Sequence, residues 1–224
     1  MPILRTILFT AQPAPSPTPV PVVATDGLLS FEASIEFDVD KLERNKDKSY
    51  LGANPSKIIG TRAKITFDFE MMGAATAGNA APIGRVLECC GMLQTLAAGV
   101  SATYSYISTA HKNALIYFYW GDGGATDLLF VVSAAKGSIT TSVKSKEYWK
   151  GKATFTGTVA LPTEAGAPTG VILTGFQDPA AATTELADLE VNGTAVRCYQ
   201  FDIDRKSTRL NSSHLDLSRM PSSA

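Results

Sequence analysis

The strongest constraint on the fold is a two-residue alternation of apolar and polar side chains that recurs along the chain. In "FEASIEFDVD", Phe31, Ala33, Ile35, Phe37 and Val39 share one parity, while Glu32, Ser34, Glu36, Asp38 and Asp40 share the other. A β-strand turns successive side chains to opposite faces, so this segment reads as a half-buried strand with an acidic outer face. "RAKITFDFEM" repeats the plan, with Ile65, Phe67 and Phe69 inward and Lys64, Thr66, Asp68 and Glu70 outward. "YQFDID" does so again, with Tyr199, Phe201 and Ile203 against Gln200, Asp202 and Asp204. Further strands are expected over 102–108, 114–120, 127–134, 137–144 and 151–161, with glycine-rich breaks such as "GDGGATD" forming hairpin turns.

One segment, "APIGRVLECCGM", reads as a helix. Ile83, Val86, Leu87 and Cys90 fall at i, i+3, i+4 and i+7, a narrow apolar stripe for packing, with Cys89 on its flank. Arg85 and Glu88 lie opposite that stripe, three apart, where they are expected to pair. Pro82 suits the first turn and Gly91 the stop. The expected fold class is therefore mainly β: an antiparallel sandwich or barrel with one short packed helix.

Three parts are expected along the 224 residues. Residues 1–27 read as an N-terminal arm or strand followed by a proline-rich linker. The run Ile3–Phe9 is too short, and too broken by Arg5 and Thr6, to serve as a signal peptide. Residues 28–205 form the β domain, expected to be truncated at its C-terminal end. Residues 206–224, "KSTRLNSSHLDLSRMPSSA", carry no strand alternation and resemble translated adaptor or vector sequence. They are read as a foreign scar or a disordered tail and set apart from the fold.

The chemical candidates weaken on inspection. Adjacent Cys89 and Cys90 could form a redox pair, but a regular helix does not offer the backbone of a vicinal disulfide. Zinc needs further ligands, and outside the tail only His111 and Cys198 are available. Buried cysteine packs as a small hydrophobe, which is the plainer role for this pair. Walker, nucleophile-elbow, H-E-x-x-H and paired C-x-x-C motifs do not occur. No enzyme, cofactor or metal site is expected. "NGT" at Asn192–Thr194 matches a glycosylation acceptor of a kind that arises often by chance. Three cysteines, two of them adjacent, do not make a secreted disulfide framework, so a reducing place of synthesis is expected.

Net charge is −1, so any attraction to nucleic acid or an anionic membrane has to be local. One such feature is the set Lys136, Lys144, Lys146, Lys150 and Lys152 around an expected hairpin, with Tyr148 and Trp149 between the lysines. Cations and aromatics together can grip nucleic acid, though lysines also guard strand edges from stray pairing. A second is the charged segment Lys41–Lys57, longer than a hairpin needs and read as a solvated loop or an arm reaching another subunit.

The order of these features resembles the tail tube, or major tail, proteins of long-tailed bacteriophages, over about residues 28–204. The resemblance rests on Glu43-Arg44 and Leu51-Gly52 in the charged loop, the strand Gly60–Phe67, the Gly/Ala-rich link Gly73–Ala81, the start Pro82–Gly84 and the end Cys90-Gly91. Downstream it extends through a turn at Ala134–Gly137, the lysine-bearing hairpin entering "FTG", and "CYQFDID". It implies a structural virion protein of the phage tail, assembled in the bacterial host cytoplasm. Six subunits would form a ring whose inner strands join into one β-barrel. Rings would stack around a tape-measure protein and meet tail-terminator and baseplate proteins, and DNA would pass through the lumen during ejection.

On that basis Glu32, Glu36, Asp38, Asp68 and Glu70 are candidates to line the lumen, where carboxylates would repel phosphates. Glu43, Arg44, Lys46 and Lys48 are candidates for the inter-ring loop. Ile83, Val86, Leu87 and Cys90 would pack the helix. Alternatives are a related contractile-system tube or tail-end subunit, or a carbohydrate- or nucleic-acid-binding β-sandwich that uses the lysine hairpin.

Overall fold

The computed structural model describes residues 4–12, 20–43, 56–124, 126–144, 146–173, 176, 190–191, 194–195 and 200–205. In chain order the elements are β1 (Leu4–Gln12), α1 (Val23–Asp26), β2 (Gly27–Leu28), β3 (Phe31–Glu43), β4 (Ser56–Glu70), α2 (Gly84–Cys89), β5 (Met92–Ala97) and β6 (Ser101–Tyr106). They continue with β7 (Asn113–Gly121), β8 (Leu128–Lys144), β9 (Lys150–Val159), β10 (Thr163–Glu164), β11 (Glu190–Val191), β12 (Thr194–Ala195) and β13 (Gln200–Arg205). The chain is mainly antiparallel β, as the alternation requires.

The principal sheet runs β2-β1-β7-β8-β9-β4-β3, with β10 and β13 also paired to β8. β2 and β3, at the two ends of this path, are separated only by Leu29 and Ser30. The sheet therefore rolls until its ends approach, and Arg5 on β1 donates a hydrogen bond to the Ala33 carbonyl on β3 at 2.7 Å. Inside the roll, Phe9, Phe67 and Phe155 meet across strands, the last two stacked at 6.0 Å between centroids. Ile83, Val86 and Leu87 around α2 join this core. On the opposite face of β1 and β7, Leu8 and Leu115 are buried as well. The stretch that follows β10 reaches this side, with Val171 and Leu173 against Gly27.

Four details depart from the sequence expectation. Leu4–Gln12 takes the strand alternative, and because all nine residues pair with β7 the sheet includes residues before the expected boundary at 28. Residues 127–134 and 137–144 are not two strands with a turn at Ala134–Gly137; they are one 17-residue strand. Ala134, at φ +50°, forms a bulge there that shifts the register against both β7 and β9. Its N–H donates to Oε1 of the buried Gln12, which anchors the corner from β1. β8 changes neighbours at this corner, pairing with β7 before it and with β13 after it.

The third departure lies at the start of β3, where Phe31 pairs with Asp68 but Ser34 pairs with Thr66. The extra residue is a bulge containing Glu32 at φ +49°. It flips the parity, so Phe31 is exposed instead of buried, while Ala33 is buried. The fourth concerns Arg85 and Glu88, which do not pair with each other. Each finds a partner from another element instead. Arg85 bonds Asp26 and the Thr25 carbonyl, whereas Glu88 accepts from Lys112 Nζ at 2.6 Å.

Candidate assembly interface

The outer face of β8, β9, β4 and β3 is polar throughout its central part, and its charges are interleaved by the strand register. On β8 it presents Lys136, Ser138, Thr140, Ser142 and Lys144, and on β9 Lys150, Lys152, Thr154, Thr156 and Thr158. Glu36 lies across from Lys64, Asp38 from Arg62, Asp68 from Lys152 and Glu70 from Lys150. Lys64 reaches Glu36 at 3.4 Å, Lys152 reaches Asp68 at 3.6 Å, and Arg62 turns diagonally to Asp40 at 3.6 Å. These pairs are solvent-exposed and worth about 0–1 kcal/mol each. Their main consequence is electrostatic: four of the five candidate lumen acids stand next to cations, so this face is mixed in charge rather than acidic. The fifth, Glu32, sits in the β3 bulge.

Two edges of the same sheet lie open. Among the described residues β3 pairs only with β4, leaving its second edge without a strand from Ser34 onward. Among the described residues β13, too, pairs only with β8. Open edges present backbone N–H and C=O groups ready for another strand. β13 and β3 are the outer strands of the five-strand order β13-β8-β9-β4-β3, so one molecule offers both edges on a single surface.

The arm expected over Lys41–Lys57 has its base in these strands. Among the described residues β9 pairs with β4 only from Arg62 onward, and from Ser56 to Thr61 only β3 accompanies it. The two strands thus project beyond the sheet as a ribbon, and the backbone of Glu43 closes its last pair with Ser56. Arg44, Lys46 and Lys48 lie outside the described residues. The ribbon exposes large apolar side chains: Val39, Leu42, Ile58 (60 %) and Ile59 (62 %). Val39 and Ile58 continue the register of the core-facing row but are exposed, whereas Phe37, just before the ribbon, is half-exposed and packs its ring on Phe130 of β8 at 5.4 Å between centroids. Sequence reading placed Phe37 and Val39 in the core and gave Ile58 and Ile59 no role. The available signal was an apolar pair directly after a charged loop.

The lysine-bearing segment is a hairpin turn between β8 and β9, with Tyr148 and Trp149 exposed. Lys136 sits far from its tip, paired with Thr156 in mid-sheet, and Lys152 is held by Asp68. The five lysines are therefore not one cluster. At α2, Ile83, Val86, Leu87 and Cys90 are all buried, and Gly91 ends the helix at φ +80°. Cys89 is buried too, with its thiol donating to the Asn113 carbonyl at 3.3 Å. Burial pushes that thiol far above its ordinary value, with the neighbouring Cys90 and Glu88 adding to the effect. Such a thiol is inert as a nucleophile. Cys198 and Asn192 lie outside the described residues.

Among the described residues no group of three or more His, Cys, Asp or Glu side chains is placed to hold a metal ion. Among them, too, no helix is long and apolar enough to cross a membrane. The features that the fold does bring together are edges, a projecting ribbon and a polar face. No protein-family model matches the sequence, and a comparison with curated proteins finds no match.

Proposed function

We propose that this chain is a structural virion protein: a tail-tube subunit of a long-tailed bacteriophage that forms six-membered rings stacking into a conduit for DNA. The observation that carries the reading is the pair of open edges, β3 and β13, at the two sides of one polar-faced sheet. A head-to-tail join of β13 on one copy to β3 on the next is heterologous, and such joins close into rings when the rotation allows. It would continue the sheet from subunit to subunit around a bore. The ribbon at Val39–Glu43 and Ser56–Thr61 then projects along the strands, in the direction in which rings would stack. Tape-measure, tail-terminator and baseplate proteins are the further partners in this reading, and the phage tail is its location.

The mixed charge of the outer face refines the lumen hypothesis. A wall of Ser, Thr and paired charges offers DNA neither a cationic track nor a strongly repulsive one. Glu32, Glu36, Asp38, Asp68 and Glu70 would temper the lysines rather than form an acidic lining. A β3 edge blocked by Ile35→Pro tests the ring contact, because proline removes a backbone donor and disfavours sheet pairing. Loss of oligomers with the fold retained in circular dichroism supports the reading; unchanged oligomers oppose it.

A further inference from the structure

At the end of β4 remote from the ribbon, the chain forms an apolar cleft of about 320 Å³. Met71, Met72, Ile83, Leu87, Tyr104 and Trp149 supply its larger walls, and none of the described residues that line it is charged. Gly84 lets α2 pack closely on Tyr104, since a Cβ there would meet the Tyr104 hydroxyl oxygen at 2.3 Å. That hydroxyl accepts a hydrogen bond from the Ala81 N–H at 3.1 Å, so the polar end of the ring is already engaged and its apolar body faces the cleft. A cavity of about 150 Å³ takes a benzene-sized group, so this one has room for two side chains of that order.

We infer that the cleft receives Ile58 and Ile59 from the ribbon of a second copy of this chain. Each molecule carries both halves of the contact: an exposed isoleucine pair and an uncharged apolar cleft. They cannot meet within one molecule. Ile59 lies near the start of β4 and Met71 just past its end, twelve residues and about 40 Å apart at ~3.3 Å per residue. Knob and hole at opposite ends make the contact head-to-tail, along the strand direction, and such a contact propagates instead of closing as a pair.

Area favours a second copy within an assembly over an isolated dimer. The apolar strip on the ribbon is on the order of a few hundred Å², below the roughly 800 Å² per partner of a stable interface. Singly the contact is weak; repeated around a ring it becomes strong through effective concentration. In this last respect the inference rests on the ring reading, whereas the docking of ribbon into cleft does not.

The test is a mixed disulfide trap in the full chain. Ile58→Cys and Met72→Cys proteins are prepared separately, then mixed under mild oxidation. A covalent heterodimer in the mixture, with little product from either protein alone, is expected. Adding Ile59→Lys to the Ile58→Cys protein should lower its yield about tenfold, the effect of losing one well-buried aliphatic contact. Absence of the mixed product up to the solubility limit overturns the inference. So does equal product from Ile58→Cys alone, which would mean ribbon packs on ribbon. Protection of Met72→Cys from a thiol reagent in dilute monomer also overturns it, because a segment of the same chain would then fill the cleft. Electron microscopy of the same samples separates the two proposals: rings without the mixed disulfide defeat the cleft contact alone, and the disulfide without rings defeats the ring reading alone.

Discussion

Phe155 stands directly across from Gly137 in the β8–β9 ladder, and its ring occupies the space a side chain on that glycine would need. A Cβ there would lie 2.3 Å from ring carbon Cε1. The same relation recurs one strand over, where Phe69 faces Gly151 and a Cβ would again come within 2.3 Å of the ring. Both rings are fully buried and packed, so neither can swing aside.

Gly137→Ala and Gly151→Ala are therefore expected to destabilise the fold by about 1–3 kcal/mol each, the usual cost of overpacking a tight core. Urea unfolding checks this. A loss below a few tenths of a kcal/mol in both would mean that the rings can move.

Asp26 is buried and receives the Val22 N–H at 2.8 Å, the Thr25 hydroxyl at 3.0 Å and the Arg85 guanidinium. This carboxylate ties α1 to α2 and thereby holds the helix against the roll. Asp26→Ala should cost about 3 kcal/mol, because it strands buried donors and a partly buried cation. Combined with Arg85→Ala, the two losses should fall well short of additive. Additive losses would show that the pair does not act as a unit.

Much of the fold was legible in the sequence because half-buried antiparallel strands write their faces directly into alternate residues. Ala63, Ile65, Phe67 and Phe69 are buried on β4, and Ala153 and Phe155 on β9. What escaped was set by local backbone geometry. A bulge needs one residue of unusual φ, and neither Glu32 nor Ala134 is a glycine that would advertise it. The short α2 was legible from its apolar stripe and its Gly91 stop, but its ion pairs depend on Asp26 and Lys112, distant in sequence. The acidic outer face was overread for a similar reason. Alternation within one strand reveals parity, yet only the register reveals that Lys64 stands beside Glu36. Ile58 and Ile59 escaped because exposure depends on how far β9 extends.

Burial raises the Cys89 thiol above its ordinary value of 9.0. The folded state then holds its proton where the unfolded chain releases it, so this contribution to stability is intact below pH 9.0 and is lost as pH rises beyond it. Stability should fall above that point, with burial of Tyr104 and Tyr119 acting in the same direction. Cys89→Ala should flatten the fall in denaturant titrations at alkaline pH. An alkaline limb identical to that of the unmodified protein would contradict the assignment.

Neutralising the charge ladder should barely alter the fold. Glu36→Gln and Asp68→Asn each remove an exposed pair, at 3.4 and 3.6 Å respectively, so losses under about 1 kcal/mol are expected. They should shrink further in ~1 M salt, where the Debye length is about 3 Å. Losses of several kcal/mol, or none of this salt dependence, would mean the pairs are more deeply shielded than their exposure indicates.

The central claim, that this chain is built to join copies of itself through the edges of one sheet, is tested most directly by its state of association. Sedimentation velocity across a wide concentration range, with electron microscopy of the same solutions, is the measurement. A shift from the 23.7 kDa monomer to ring-shaped oligomers that stack as concentration rises is expected. A single monomeric species at every concentration up to the solubility limit would contradict it.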